Sequence, residues 1–583
     1  MNLPQFLKHV DKAAEMLTRE ELAAFVHETA RTLPEIKRDA FLERLKTLNK
    51  ESKETVQEDI VSIEEVLKKL QLIEEGEMYL TGILNEEYDD WYDGPGEEFF
   101  FEDPDGLLDI LENACVLVHE YIDHALYRES YQLFCRLLGL EITVDGEYAD
   151  YCDCICSFED LINENLLSLD YKQFILEGLY AAYQSFPLEE RPEKLYNIIY
   201  NARCGNLTLE ALMQKGEDDL QEVAEFLELW IAYLGEQTGG EAETFLKEAL
   251  ELQDDPEKSL KSARKYVKKH PEIFVQILQA GLKSGKAEEL FTVGQEALQM
   301  IEAQYVIRSE AALLEAVYAL RLNRQEDAEK CWLEAFRSDT RIVHYLRLLA
   351  ESADFSKYRK DIKTHYEALN KTARKDSFSF DHQNIAVQNS IDSVTYNALS
   401  FFDGEFQRLI TTSMNVKQPL GWSSTFMKCG IALFLLYLYE GEELPSGCGC
   451  MCRQAAESVY FSSEGYAKGV IGSVETNNSI LFWECFCKWK NKLQTPDMDK
   501  ETILQKLNDW IRKRTEAIVG GAHRNYYGEC AAFIAALGEV SESRGERGQK
   551  QRLMESYKAE YPRHRAFHGE LRVFGMNDPK KRK

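Results

Sequence analysis

The clearest helical pattern of the chain runs from Ser309 to Thr340, SEAALLEAVYALRLNRQEDAEKCWLEAFRSDT. Its apolar residues recur every three to four positions, which is typical of amphipathic helices, and a polar break falls at Asn323. The small side chains of Ala316, Ala319, Ala328 and Ala335 fall where two helices need to approach closely, with Trp332 as the large packing residue. The stretch therefore predicts two antiparallel helices that meet at Asn323.

Two segments upstream carry a weaker form of the same pattern. Leu278 to Ile301 places Gly285 at the turn, and Trp230 to Leu250 contains small residues at helical spacing. Several degenerate copies are better support for a repeat than one, because a single helical hairpin is common in any helical protein. We therefore predict an all-α chain: a helical-hairpin repeat solenoid with a separate C-terminal helical domain.

The Ser309 to Thr340 pattern resembles the tetratricopeptide repeat, with Asn323 at the position of the usual turn glycine. The segment from Arg524 to Gly575 is similar to the helical tail of bacterial proteins that carry a SWIM zinc finger. The finger itself is not predicted, because the chain has no Cys-x-His pair. The acidic, aromatic stretch that ends in Asp103-Pro104-Asp105-Gly106 resembles uncharacterised helical-repeat proteins of Gram-positive bacteria, which implies a helical scaffold without an assigned activity.

Breaks in the helical pattern divide the chain into five predicted regions. A polar stretch without sustained periodicity precedes Ala398, and we expect a domain boundary within 375–395. The regions are an N-terminal helical hairpin (1–80), an acidic-aromatic loop (81–106), tetratricopeptide-like repeats (107–375), a C-terminal helical domain (396–575) and a basic tail (576–583).

The loop NEEYDDWYDGPGEEFFFEDPDG, residues 85–106, combines carboxylates with aromatic rings and is broken by glycine and proline. We expect the rings to pack against the repeat while Asp89, Asp90, Trp91 and Asp93 form an acidic patch for a basic partner segment. The equally open alternative is that the aromatic rings only seal the end of the helical array. Asp103 or Asp105 is expected to cap the helix that begins at Leu107.

The charge balance limits the classes of partner. Lys and Arg number 68 against 101 Asp and Glu, a formal net charge of −33, which repels phosphate backbones and anionic lipid. The C-terminal Lys580, Lys581, Arg582 and Lys583 are the exception, so nucleic acid is expected to bind through this tail or not at all. A solvated tail is the simpler interpretation.

Location is predicted from the N-terminus and from the most apolar segment. The N-terminus lacks the pattern of a secretory signal, which favours the cytoplasm. The apolar stretch from Phe426 to Tyr439 is too short to span a bilayer and is predicted to be a buried core helix, so no membrane contact is expected.

Tight cysteine groups offer a possible zinc site, since two nearby thiolates can chelate one soft metal. Neither of the two cysteine triplets that the chain contains has a histidine or a Cys-x-x-Cys in local range. The alternative is that the cysteines are reduced and serve as small buried apolar residues. The triplets are Cys152, Cys154, Cys156 and Cys448, Cys450, Cys452.

The sequence contains no nucleophile elbow, phosphate loop or dinucleotide fingerprint, so it favours no catalytic activity. We therefore expect a non-catalytic scaffold that binds a protein or peptide and needs no cofactor. The alternative is a metal-dependent or nucleic-acid-associated accessory protein that uses the cysteine groups or the basic tail.

Overall fold

The structure, a computed structural model, describes residues 65–84, 99–146, 155–215, 220–372, 376–493 and 496–577. The chain forms two compact units, Met1–Phe226 and Leu227–Lys583. Most of the predicted N-terminal hairpin region (1–80) lies outside the described residues, although residues 65–74 are helical.

The first unit combines helices with a small sheet. Its strands are β1 (Leu80–Leu84), β2 (Phe99–Glu102), β3 (Glu141–Gly146) and β4 (Ile155–Ser157). Its helices are α1 (Leu107–Asp123), α2 (Tyr127–Leu138), α3 (Phe158–Asn163), α4 (Tyr171–Ser185), α5 (Arg191–Ala202) and α6 (Leu209–Met213), and α7 (Val223–Leu234) continues into the second unit.

The sheet corrects the prediction of a loop over residues 81–106. Its strand order is β2-β1-β3-β4, with β1 antiparallel to β2 and parallel to β3. Leu80 of β1 and Ile142 and Val144 of β3 are buried and form the apolar face of the sheet, which holds the strands together. These strands are short and pair across long separations, so local periodicity does not reveal them.

The loop leads into α1 through a cap that the sequence predicts correctly. The amides of Leu107 and Leu108 donate to the Asp103 carboxylate at 2.7 and 2.8 Å. Two of the amides that a helix start leaves unpaired are thereby satisfied.

Aromatic packing joins α2 and α4 in the first unit. The ring of Phe134 lies 4.9 Å from that of Phe174, centroid to centroid. Gly178 faces the same ring so closely that a Cβ there would lie 2.3 Å from Phe134. Only glycine fits this approach.

The second unit begins with helical hairpins in series, which confirms the predicted helical-hairpin repeat. Four hairpins follow α7, and their first helices begin at Gly240, Glu272, Arg308 and Ile342, at intervals of 32, 36 and 34 residues. The helices are α8 (Gly240–Gln253), α9 (Pro256–Tyr266), α10 (Glu272–Ala280), α11 (Ala287–Met300), α12 (Arg308–Arg321), α13 (Gln325–Ser338), α14 (Ile342–Glu351) and α15 (Ser356–Asn370).

The third hairpin, α12 and α13, has the predicted helix-to-helix packing. The small residues at the predicted close approach are all fully buried, and Trp332 is 1% exposed. Asn323 turns the chain at φ 58°, and Gly285 does so at φ 70° in the hairpin before it. Left-handed backbone at the turn explains why these positions carry asparagine and glycine. The buried small residues are Ala316, Ala319, Ala328 and Ala335.

The rest of the second unit is a helical bundle preceded by a β-hairpin. The hairpin strands are β5 (Phe378–Phe380) and β6 (Ala386–Gln388). The bundle helices are α16 (Ser393–Phe402), α17 (Phe406–Arg408), α18 (Met427–Leu438), α19 (Ser446–Ser458), α20 (Ser463–Ala467), α21 (Asn478–Lys492), α22 (Lys500–Thr515), α23 (Tyr527–Ser543), α24 (Gln549–Glu560) and α25 (Arg565–Val573). Short 3₁₀ turns at Gly281–Lys283, Pro419–Ser424 and Arg524–Tyr526 and π turns at Leu409–Ser413 and Glu516–Gly520 complete the second unit.

Helix α18 forms the centre of this bundle, as the apolar stretch from Phe426 to Tyr439 predicts. It is buried on every side except at Lys428. Phe401 of α16 lies 5.0 Å from Phe434 of α18 and 5.1 Å from Trp489 of α21, measured between ring centroids. No helix among the described residues is long and apolar enough to cross a membrane.

The predicted boundary within 375–395 is not where the chain divides, because the compact units meet at Phe226 and Leu227. The indole N–H of Trp332 in α13 donates to the carbonyl of Gly469 at 2.7 Å. Arg347 of α14, which is fully buried, donates from Nε to the carbonyl of Tyr466 at 2.9 Å and from Nη2 to that of Gly465. The repeats and the C-terminal bundle therefore share one core.

Replacing Ala328 with arginine tests the helix contact inside the third hairpin. Ala328 is fully buried between its neighbours, so the arginine forces extra volume and a charge into packed helices. We expect Ala328→Arg to lower the free energy of unfolding by about 3 kcal/mol or more, as measured by urea titration. Glu326→Arg, whose wild-type side chain on the same helix is 79% exposed, is the control and changes it by less than about 0.5 kcal/mol. Equal effects of both variants contradict the register.

Glu315 gives the second unit a pH-dependent stability. The residue is 4% exposed, and its Oε2 atom has no hydrogen-bond partner among the described residues. Burial raises the pKa of Glu315 to about 7 from an ordinary 4.5. The folded state thus prefers the neutral acid, so the favourable contribution is complete below pH 4.5 and is lost as the pH rises through 7.

Glu315→Gln removes this titration while it keeps the shape of the side chain. Relative to wild type, we expect the variant to have unchanged stability near pH 4.5 and to gain on the order of 2 kcal/mol at pH 8. Melting temperatures of both proteins from pH 4.5 to 8 measure the difference, with Glu326→Gln as the control. A constant difference across that range contradicts the prediction.

Candidate binding site

Most residues that the sequence predicts for binding lie outside the described residues. They are Asp89, Asp90, Trp91 and Asp93 of the acidic loop, Lys580, Lys581, Arg582 and Lys583 of the tail, and Cys152 and Cys154 of the first cysteine triplet. Their roles stay predictions.

Apart from Cys156, the cysteines within the described residues are free, and most of them are buried. Cys156 lies buried on β4, next to Ile142 in register. Cys448 and Cys452 are fully buried on one face of α19, whereas Cys450, two positions from each, lies about 200° around the helix. One metal ion does not easily reach all three.

The hydrogen bonds of the second cysteine triplet also indicate protonated thiols and not metal-binding thiolates. Cys448 Sγ donates to the carbonyl of Ala536 at 3.8 Å, and Cys452 Sγ donates to that of Ser479 at 3.1 Å. Burial raises the pKa of Cys452 to about 12, which disfavours the thiolate that zinc requires. Among the described residues, no group of three or more His, Cys, Asp or Glu side chains is placed to hold a metal ion.

A buried carboxylate beside these cysteines serves helix structure. Glu539, which is 3% exposed, accepts from the amides of Gly447 and Cys448 at 3.0 and 2.6 Å, at the start of α19. Lys550 Nζ lies 2.6 Å from the same carboxylate. The negative charge compensates the positive end of the helix, so it stabilises the bundle.

The β5–β6 hairpin is the feature of the second unit that leaves backbone groups open to a partner. Two hydrogen bonds mark where the strands face each other. The amide of Asn389 donates to Ser377 O at 2.8 Å, and the amide of Asp381 donates to Ile385 O at 3.0 Å. In an antiparallel pair the residues between, Phe378 and Phe380, direct their amides and carbonyls to the opposite edge. No other described residue forms a hydrogen bond with that edge.

The hairpin is held in place from its other side. The amide of Val306 donates to Ala386 O of β6 at 2.9 Å, and the Tyr305 hydroxyl donates to Asp381 Oδ2 at 2.7 Å. Asp381 Oδ1 also accepts from the amides of Gln383 and Ile385, which fixes the turn. The open edge of β5 is therefore carried on a rigid support.

Aromatic side chains stand exposed along this open edge. Phe378 is 42% and Phe380 is 68% exposed, whereas most phenylalanines of the bundle are buried. Exposed rings beside unpaired strand groups are typical of a surface to which an extended peptide adds as a further strand.

A small cavity of about 210 Å³ adjoins the ring of Phe380 and carries negative charge. Its carboxylates are Glu243 and Glu272, and its lysine, Lys269, is directed to Glu236, with 3.0 Å between Nζ and Oε2. Removal from water and the neighbouring Glu272 carboxylate raise the pKa of Glu243. The cavity thus favours a cation next to the strand edge.

His270 is in direct contact with only one of the two carboxylates. Its Nε2 faces the carbonyls of Leu234 at 3.2 Å and Gln237 at 3.0 Å, which can only accept, so Nε2 is the donor to them. Its Nδ1 lies 2.8 Å from Glu272 Oε1. Glu243 forms no close ion pair among the described residues, and only the more distant His270 and Lys247 favour its charged form.

This hairpin is not predicted from the sequence, although a local signal is present. Residues 375–395 are predicted to be a polar boundary, because helical periodicity stops there. Phe378-Ser379-Phe380 alternates apolar and polar residues, and Asp381-His382-Gln383-Asn384 supplies turn residues. Together they satisfy the pattern of a β-hairpin.

Comparisons with known proteins give no family. No family model matches the chain, and no curated protein matches it. Among solved structures, the chain is similar to a "Circular tandem repeat protein with novel repeat topology and enhanced subunit contact surfaces", at 12% identity, a TM-score of 0.14, and coverage of 80% of this chain and 88% of that one.

Proposed function

We propose that this protein is a non-catalytic helical-repeat scaffold that binds an extended, basic segment of another protein. The single observation that carries the proposal is the open edge of β5, where Phe378 and Phe380 expose both their rings and their backbone groups. A partner strand would pair with these groups, and its apolar side chains would pack on the two rings.

Electrostatics supports a basic partner. Glu243 beside Phe380 offers a carboxylate without a close ion pair among the described residues, and the chain as a whole has a formal charge of −33. Positive side chains on the partner strand would approach faster and bind the cavity next to the edge. The acidic residues predicted for binding in the 81–106 region would extend the same preference.

The buried ionisable groups support a structural and not a catalytic use of charge. Glu539 caps a helix, and Arg514, 1% exposed, donates from Nε to Glu529 Oε1 at 2.8 Å inside the bundle. A cytoplasmic location, with reduced thiols, fits the free Cys448, Cys450 and Cys452.

Peptide selection followed by affinity measurement tests the proposed edge. A random peptide library is selected on the full-length protein, and the recovered peptides are measured by fluorescence anisotropy. We expect peptides that alternate apolar and basic residues, and we expect the double variant Phe378→Ser, Phe380→Ser to weaken their binding by about tenfold or more. Glu243→Gln should weaken basic peptides and reduce the salt dependence of their binding.

Tyr200→Ser is the matched control, because Tyr200 is an aromatic residue of the first unit that is 63% exposed. It should leave peptide affinity and melting temperature unchanged. Peptides that bind the Phe378, Phe380 double variant as tightly as wild type contradict the proposal.

A further inference from the structure

A second cavity, of about 270 Å³, lies where the fourth hairpin meets the C-terminal bundle. Four aromatic residues line it, and together with two leucines they make most of its wall apolar. Four helices, α14, α15, α16 and α21, and the turn between α14 and α15 contribute to it. The lining aromatic residues are Tyr345, Phe355, Phe402 and Trp489.

The aromatic wall is fixed by contacts inside the protein. The Tyr345 ring packs edge-on against Phe355 at 5.4 Å between centroids and lies 5.7 Å from Phe402. The indole N–H of Trp489 donates to Phe402 O at 2.7 Å. The rings support one another and together form one fixed wall of the cavity, which is typical of a largely preformed ligand site.

Tyr345 carries a polar group that nothing in the described protein uses. The residue is 3% exposed and lines the cavity, and its hydroxyl forms no hydrogen bond with any described residue. Unlike the Tyr366 hydroxyl, it does not belong to the fully buried polar atoms without a partner, so water can reach it. A ligand in the cavity would take the place of that water as its hydrogen-bond partner.

Two cationic side chains also line the cavity. Arg359 is anchored by donation from Nε to Asp403 Oδ1 at 2.7 Å and from Nη2 to Asp403 O at 2.6 Å, and its Nη1 has no hydrogen bond within the described residues. Lys492 Nζ donates to Leu349 O at 2.6 Å and to Ser352 O at 3.5 Å, and it forms no close ion pair among the described residues, although the Asp354 carboxylate attracts it from a greater distance. Asp354, the carboxylate on the lining, already accepts from the amide of Ser356 at 3.1 Å and from its hydroxyl at 2.6 Å.

From this arrangement we propose that the cavity binds a small aromatic carboxylate. The planar body would lie among Phe355, Phe402 and Trp489, and the carboxylate would accept from the Tyr345 hydroxyl and from Arg359 or Lys492. Carboxylates match both the guanidinium and the phenol as acceptors. The volume admits a compact molecule with one or two rings. This site is independent of the β5 edge.

Binding of phenylacetate to the full-length protein tests the proposal, with calorimetry as the readout. Phenethylamine carries the same ring with the opposite charge, and acetate carries the carboxylate without a ring. We expect saturable binding of phenylacetate and at least about tenfold weaker binding of both others. No saturation by phenylacetate, or equal binding of phenethylamine, overturns the proposal.

Tyr345→Phe removes only the unused hydroxyl, so the fold should keep its melting temperature while phenylacetate binding falls by about fivefold or more. Tyr366→Phe is the matched control. Tyr366 is 1% exposed and its hydroxyl is also unpaired among the described residues, but it does not line the cavity. Wild-type affinity in Tyr345→Phe, or an equal loss in both variants, places the ligand elsewhere and overturns the proposed site.

Discussion

The second unit depends on the buried guanidinium of Arg347, which forms no ion pair with a carboxylate of the described residues. Arg347 is fully inaccessible, and its Nε and Nη2 donate to the carbonyls of Tyr466 and Gly465, more than a hundred residues further along the chain. Burial lowers its pKa to about 10. A charge without an ion pair is tolerated in the core only where fixed dipoles replace water. Arg347 therefore requires α14 and the segment that contains Gly465 and Tyr466 to stay together.

Other charged side chains connect helices by a related principle. Lysines at the end of α21 bind carbonyls at the ends of two different helices: Lys490 donates to Tyr439 O at 2.5 Å, after α18, and Lys492 donates to Leu349 O of α14. Glu539, a negative side chain, instead accepts from amides at the start of α19. Helix ends leave unpaired groups with partial charge, and here long side chains from distant helices satisfy them. The bundle and the last hairpin are thereby fixed against each other, which holds both the β5 edge and the aromatic cavity in place.

The sequence predicts the helical hairpins because their signals are local. Ala328 and Ala335 lie on the same helix face, two turns apart, and Asn323 marks the turn between two helical patterns. The sheet of the first unit depends instead on pairing between Leu80 and Val144, which no local window contains. The same reason explains the misplaced domain boundary, since Trp332 finds its partner at Gly469. Of the candidate site, only the hairpin had a readable local pattern, whereas its neighbouring carboxylates come together through tertiary packing.

Because Arg347 joins the repeats to the C-terminal bundle, we expect the two to unfold as one cooperative structure. Hydrogen–deuterium exchange of the full-length Arg347→Met variant, compared with wild type, measures this cooperativity. We expect a similar loss of protection in α12 and α13 on one side of the contact and in α18 and α23 on the other. Loss of protection confined to the segment around Gly465 and Tyr466, with the other helices unchanged, would show that the repeats and the bundle unfold independently.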